Sequence, residues 1–212
     1  MKKLLLLAGM VLSGALFASW SPVEVSLVTP VQAPDRDYDI YGLRLNLIYG
    51  ESKDVYGVDL GIVNRTKGDF RGVELGGVNI ADDTMYGVQL GLVNWNWNDS
   101  ATWSDRSIGF QWGFINKSDT FCGFQDGLLN ISMNSFTGWE YGFVNYAHDV
   151  TGLQSGVLLI FGVNFATGAV NGCQIGLLNY AANMESGVQI GILNFISRGG
   201  FFPVFPIVNG TF

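Results

Sequence analysis

A nine-residue phrase, read most clearly as YGVQLGLVN from Tyr86 to Asn94, recurs along almost the whole chain. A repeat with a fixed period restricts the fold more than local propensity does, because every copy must bury the same face against a neighbour. Most steps between copies are 14 or 15 residues, and the first Gly of each phrase sets the frame. Those glycines are Gly42, Gly57, Gly72, Gly87, Gly109, Gly123, Gly138, Gly152, Gly172 and Gly187. The sequence therefore predicts one repeat-built domain over residues 20–212.

Each phrase predicts a β-strand, because strand side chains alternate between two faces and the phrase alternates in character. One predicted face is bulky and ends in an amide, with Val88, Leu90, Leu92 and Asn94. The other predicted face carries small residues on either side of one polar side chain, with Gly87, Gln89, Gly91 and Val93. No segment has helical apolar spacing for long enough to form a helix, so the fold class is predicted to be all-β.

The small face carries one polar side chain in every copy. The series is Arg44, Asp59, Glu74, Gln89, Gln111, Gln125, Glu140, Gln154, Gln174 and Gln189. The functional interpretation is a pore lining that selects small solutes. The favoured interpretation is a hydrogen-bond network that fills a narrow lumen, because buried amides and charges must find partners.

Two architectures fit the repeat. The favoured prediction is an antiparallel up-and-down β-barrel of about 12 strands, whose apolar face meets lipid. The apolar segment Phe202–Phe212 supports it, because its terminal Phe resembles the signal that the outer-membrane barrel-assembly machinery reads. The alternative is a parallel β-solenoid in which each copy is one coil and amides stack. Its support is the recurring Asn64, Asn79, Asn94, Asn116, Asn130, Asn145, Asn179 and Asn194.

The first residues predict export. Residues 1–19 combine Lys2 and Lys3, an apolar run from Leu4 to Leu12 and small residues before a cleavage site, which is typical of a signal peptide. That run is too short for a transmembrane helix. The net charge is −7 and becomes more negative without the two lysines, so no nucleic-acid partner is expected. The predicted location is the outer membrane or cell surface, with the lipid bilayer as partner.

Few residues suggest chemistry. His148 is the single His, no Ser lies in a Gly-x-Ser-x-Gly context, and no catalytic residue, metal site or cofactor is predicted. Cys122 and Cys173 are interpreted as small apolar residues rather than a disulfide. An insertion holds the aromatic side chains Trp95, Trp97 and Trp103. They could stack on carbohydrate or a partner, and the favoured interpretation is an anchor at the membrane interface.

The copies GVDLGIVN, GVQLGLVN, GCQIGLLN and GVQIGILN resemble a bacterial surface-repeat protein family with tandem Gly-x-Gln-Ile-Gly-Leu-x-Asn units behind a signal peptide. The resemblance covers nearly the whole mature chain. It implies an exported, envelope-associated protein and supplies no activity or functional residues.

These observations together predict a non-enzymatic outer-membrane or surface protein with a mostly closed polar lumen. Two alternatives remain open. One is a secreted solenoid that binds or adheres through its stacked Gln and Asn rows, and the other is a small-solute pore.

Overall fold

The computed structural model describes residues 19–97, 106–158 and 161–211. Three predictions fall wholly or almost wholly outside these ranges. They concern the signal peptide, the side chain of Trp103 and the terminal Phe212.

Successive copies of the phrase lie side by side as parallel strands. Gly57 pairs with Gly72, and fifteen residues of offset hold along the strand, so that Asn64 pairs with Asn79. A parallel neighbour is reached only after the chain has returned to its starting end. Each copy is therefore one coil of a β-solenoid, and the predicted antiparallel barrel is wrong. The solenoid alternative is correct for the fold.

The described strands are β1 (Trp20–Val28), β2 (Val31–Ala33), β3 (Asp39–Ser52), β4 (Val55–Thr66), β5 (Phe70–Ala81), β6 (Met85–Leu90), β7 (Val93–Asn96), β8 (Ser107–Trp112), β9 (Ile115–Ser155), β10 (Val163–Ile175), β11 (Leu178–Ile196) and β12 (Val204–Thr211). Almost all of them belong to one series of neighbouring strands, which runs from β2 and β1 at one end to β12 at the other, with β7 paired beside it. β9 is 41 residues long because it winds through successive coils without interruption.

A bend inside the phrase explains how so short a repeat closes a coil. The chain turns at Gly91 and Leu92, which separate β6 from β7. Both Gln89 before the bend and Asn94 after it are fully buried. The predicted assignment of these two residues to opposite faces is therefore wrong, because the bend interrupts the simple alternation of a straight strand. A repeat of about 15 residues therefore closes a coil with two short strand segments, β6 and β7, instead of one straight strand.

The coils stack closely at the first Gly of each phrase. Gly87 has a φ of 144°, a value that L side chains rarely adopt. A Cβ built on Gly87 would lie 2.0 Å from the carbonyl oxygen of Gly72 in the preceding coil. Gly is thus required there by both the backbone conformation and the space between coils.

An apolar row runs through the interior beside the polar groups. Its members lie two or three residues before nine of the ten phrase glycines and are all buried, whereas the buried Ser107 takes this position before Gly109. They are Ile40, Val55, Phe70, Met85, Phe121, Phe136, Val150, Val170 and Met184. Phe121 and Phe136 stack with ring centroids 6.2 Å apart, which carries the row across consecutive coils. Cys122 and Cys173 are both free thiols.

The two ends of the solenoid differ from its body. β12 pairs with β11 in the antiparallel sense, and β2 pairs antiparallel with β1. Pro206 lies within β12, where it removes a backbone donor from the ladder.

Candidate functional site

The polar series of the sequence forms one continuous row in the interior, here called the Gln row. Its ten side chains come from consecutive coils, and each is fully buried. Gln111 Nε2 donates to Gln89 Oε1 at 2.8 Å, and Gln125 Nε2 donates to Gln111 Oε1 at 2.6 Å. In this row the donor amide always belongs to the later coil, as it does again where Gln189 Nε2 donates to Gln174 Oε1 at 2.7 Å.

The first coils of the Gln row hold charges in place of amides. Arg44 and Asp59 form a buried ion pair, and Arg44 Nη1 donates to the carbonyl oxygen of Arg65 at 2.8 Å. Glu74 follows, and it accepts from Gln89 Nε2 at 2.7 Å. Burial and the neighbouring Asp59 raise the pKa of Glu74 well above its ordinary value.

Glu140 interrupts the middle of the Gln row. Gln154 Nε2 donates to its Oε2 at 2.7 Å. Ser132 Oγ lies 3.0 Å from Glu140 Oε1 and 3.3 Å from Gln125 Oε1, which links the carboxyl to the preceding coil. Burial raises the pKa of Glu140 to about 8. Protonated Glu140 is therefore the dominant form at neutral pH.

The recurring asparagines form a second interior row, here called the Asn row. Asn64 Nδ2 donates to Asn79 Oδ1 at 3.0 Å, and the same bond continues through every coil to Asn194. Here the donor amide belongs to the earlier coil. Asn164 is a member that the sequence reasoning missed, because it follows an insertion. The Val163-Asn164 dipeptide, which matches Val144-Asn145, is the signal that could have identified it.

Both rows are buried, so their amides are occupied with one another and do not face a partner. The predicted binding surface made of stacked Gln and Asn rows is therefore not on the outside of the molecule. The predicted barrel lumen, and a pore through it, likewise have no place in a solenoid whose interior these rows fill.

The outward side chains are largely apolar. The two residues that precede each Asn of the Asn row lie at the bend or directly after it, and they are here called the outer ridge. Phe114 is 57% exposed and Ile192 is 64% exposed. Every position of the ridge is apolar or Gly: Ile62, Val63, Gly77, Val78, Leu92, Val93, Phe114, Ile115, Leu128, Leu129, Phe143, Val144, Gly162, Val163, Leu177, Leu178, Ile192 and Leu193.

Most exposed charged side chains lie elsewhere, in the links between an Asn of the row and the next phrase Gly. Lys53 pairs with Asp39 at 2.9 Å, and Lys67 pairs with Glu51 at 2.8 Å. Asp126 is an exception, because it lies in the strand directly beside the ridge. The outer surface is thus divided into a ridge without charged residues and links that carry ion pairs.

Two of the three predicted Trp residues form a stack beside these links. The rings of Trp95 and Trp97 are 5.6 Å apart with an interplanar angle of 17°. Lys117 Nζ lies 5.4 Å from the Trp95 ring centre and 4.6 Å from that of Trp97, which is a cation–π contact with both. Lys117 is itself held by Asp119 at 2.6 Å. Trp103 lies outside the described residues.

An ion pair faces the Trp stack across a cleft of about 570 Å³ that Arg65, Ile80, Asp82, Trp95 and Trp97 line. Arg65 Nε and Nη2 donate to Asp82 Oδ2 at 3.0 and 2.8 Å. Sequence reasoning did not associate Arg65, Asp82 or Lys117 with the tryptophans. Their meeting depends on the parallel register of neighbouring coils.

Among residues 19–97, 106–158 and 161–211, no three His, Cys, Asp or Glu side chains are grouped as a metal ion would require. His148 Nδ1 lies 2.9 Å from Thr167 Oγ1 at the surface. The same ranges contain no helix that is long and apolar enough to cross a membrane.

The fold defines the class of this protein as a parallel β-solenoid with a polar interior and apolar outer rows. No protein-family model, curated protein or solved structure matches the chain. The resemblance to a surface-repeat family stays a prediction.

Proposed function

We propose that this protein is an exported, non-enzymatic binding scaffold of the cell envelope, and that its outer ridge attaches to the surface of a lipid bilayer. The observation that carries the proposal is the ridge itself, which is apolar at each position and free of charge along the solenoid. At ~4.8 Å for each coil, the ridge is about 40 Å long. An apolar surface of this extent is typical of an interaction site.

The shape of the ridge favours lipid over a second copy of the chain. The ridge lies where each coil bends outward, at residues such as Leu92 and Phe114. Two convex ridges would meet along a line and bury little area, whereas acyl chains can close around a convex apolar edge. Apolar burial of that kind stabilises by roughly 25 cal/mol for each Å².

Export is supported by the signal peptide that residues 1–19 predict and by the resemblance to surface-repeat proteins. The net charge of −7 points to a zwitterionic rather than an anionic lipid surface, because like charges repel at low ionic strength.

The test is flotation of the mature chain, residues 20–212, with phosphatidylcholine vesicles. We expect the protein to float with these vesicles and to float less with vesicles rich in phosphatidylserine at low salt. Replacing Phe114 and Phe143 by Ser removes two of the largest ridge side chains and should release most of the protein from the vesicles.

The matched control replaces Met133 and Val31 by Ser, because both are exposed apolar residues outside the ridge. It should float like the unchanged chain. Equal flotation of the ridge and control variants would overturn the lipid proposal. So would a stable dimer by light scattering that the ridge variant abolishes, since a second copy would then cover the ridge.

A further inference from the structure

We propose that the cleft between the Trp95–Trp97 stack and the Arg65–Asp82 pair is a binding site for a neutral saccharide. The residues of this site do not belong to the outer ridge. The saccharide proposal therefore goes beyond the proposed attachment to lipid, and the two proposals can be tested independently.

The Trp stack supplies an apolar aromatic platform. Trp97 is 49% exposed, although large aromatic side chains are usually buried in a folded protein. Lys117 packs against both rings, and its own bond to Asp119 fixes it there. The platform is therefore already ordered, so that a ligand does not have to immobilise it on binding. The C–H face of a pyranose ring is apolar and of similar size to an indole ring.

The opposite wall supplies hydrogen-bonding groups that are also fixed. Both Arg65 bonds to Asp82 use the same carboxylate oxygen, Oδ2. The guanidinium carries five N–H donors, and a carboxylate has two acceptor oxygens. Vicinal hydroxyls of a sugar can both donate and accept, so they match a wall that presents donors and acceptors side by side. Ile80 closes the floor of the cleft with apolar surface.

The charge balance of the cleft selects for a neutral ligand. Arg65 is paired with Asp82, and Lys117 is paired with Asp119. Arg65 also lies 3.6 Å from Glu51, which itself binds Lys67 at 2.8 Å. Each cation near the cleft thus has a carboxylate partner, and Glu51 is shared with Arg36. A phosphate or uronate would have to compete with these carboxylates, whereas a neutral sugar leaves the ion pairs in place.

The combination of an aromatic platform with a few convergent polar groups is typical of small-molecule sites. The two walls come from different coils, since Arg65 lies in β4, Asp82 follows β5 and Trp95 lies in β7. The solenoid register holds them at a fixed distance, and a rigid scaffold of this kind suits a preorganised site.

The test is isothermal titration of the mature chain with three defined oligosaccharides. Cellohexaose and chitohexaose are the neutral probes, and hexagalacturonate is the acidic probe. We expect one or both neutral probes to bind with a dissociation constant of about 1 mM or tighter. Trp97→Ala should weaken that binding at least about tenfold, and Trp97→Phe should retain part of it.

Two further variants separate the site from general effects. Asp82→Ala should weaken binding because it removes an acceptor and releases Arg65. Trp112→Ala is the matched control, because Trp112 is 55% exposed and lies outside the cleft, and it should bind as the unchanged chain does. Trp97 is at the surface, so its variants are expected to fold, and circular dichroism checks this.

The proposal is overturned if neither neutral probe binds at about 10 mM, a concentration at which even weak sites are occupied. It is also overturned if binding survives Trp97→Ala, or if hexagalacturonate alone binds. The vesicle experiment uses different variants and a different readout, so a failure of one proposal does not affect the other.

Discussion

Glu140 occupies a position that Gln fills in the coil that follows, and its proton decides whether the Gln row is continuous. The Ser132 hydroxyl has one proton and two acceptors within reach, Glu140 Oε1 and Gln125 Oε1. If Glu140 is protonated, it donates to Ser132, and Ser132 is free to donate to Gln125. If Glu140 is ionised, the Ser132 proton is drawn to the carboxylate and a buried charge is left in the interior. The protonated acid thus acts as a substitute for an amide.

This behaviour predicts a loss of stability with rising pH. The folded pKa of Glu140 is about 8, against 4.5 for the free group, so the folded state binds more protons between these values. The free energy of unfolding should therefore fall as pH rises from about 4.5 to about 8 and level off above that. Burial also raises the pKa of Glu24, to about 7, and that of Glu74, which adds to the same trend.

Urea unfolding at pH 5 and pH 9 measures the effect. Glu140→Gln should reduce the difference in the free energy of unfolding between the two pH values, by on the order of several kcal/mol. The reason is that an amide fits the row at any pH. Glu185→Gln is the control, since Glu185 is exposed and binds Asn171 at 2.8 Å. An unchanged pH dependence in Glu140→Gln would show that Glu140 is not the responsible group.

The phrase as an element is a bent strand whose two halves each bury one amide. Gln89 and Asn94 enter the interior on either side of the bend, and Gly87 allows neighbouring coils to approach. The strand is thus held by backbone ladders on its edges and by side-chain ladders on its inner surface. A side chain in place of Gly87 would disturb both at once, because it would separate the two coils.

Gly87→Ala should lower the free energy of unfolding by about 2 kcal/mol or more, because φ is 144° and the new Cβ would meet the Gly72 carbonyl oxygen. Gly77→Ala is the matched control. Its φ is not in the strained region, a Cβ there would lie 3.1 Å from the Ile62 carbonyl oxygen, and adjacent coils carry Ile62 and Leu92 at the equivalent position. Denaturant midpoints should differ clearly between the two variants. Equal midpoints would contradict the role given to Gly87.

The sequence predicts the strands and their spacing, because the Gly frame and the alternation of Val88, Gln89 and Leu90 are local signals. It does not predict the direction of pairing, because parallel and antiparallel strands share the same period of two residues. The sequence also does not predict the bend at Gly91, because a Gly within a strand can indicate either a bend or the close approach of a neighbouring backbone. Without the bend, simple alternation assigns Asn94 to the face opposite Gln89, although both are buried.

The cleft was beyond sequence reasoning for a related physical reason. Arg65 and Asp82 are 17 residues apart and meet only when adjacent coils are parallel and in register. The sequence does indicate Trp95 and Trp97 as candidates, because three of the six Trp residues fall in one insertion. Their polar partners could be found only from the coil geometry.

The whole molecule buries many polar side chains and exposes much apolar surface. Its interior holds the Asn row, the Gln row with its four charged members and one apolar row, and its outer ridge is apolar from Ile62 to Leu193. Hydrogen bonds between neighbouring coils make the polar interior stable, because the amides of each row bond to those of the next coil. The exposed apolar rows then become available for contact with a surface, which is the basis of the proposed attachment.

The antiparallel β12 should limit self-association of whole molecules. It covers the edge of β11, and Pro206 removes a donor from its own strand. A chain that ends at Gly200 lacks β12 and exposes the β11 edge, so we expect it to form oligomers that grow with concentration, measured by light scattering. Phe201→Ser is the control, because it changes an exposed residue, 62% accessible, and keeps β12. A monomeric truncated chain would argue against this role of β12.

The donor directions of the two amide rows have an electrostatic consequence. Amides of the Gln row donate toward the earlier coil, as Gln174 does to Gln154 at 2.7 Å. Amides of the Asn row donate toward the later coil, as Asn130 does to Asn145 at 2.8 Å. Aligned amides polarise one another, so a single row would build a dipole that increases with each coil. Because the two rows point in opposite directions, their dipoles oppose each other, which limits the field that builds up along the axis as coils are added.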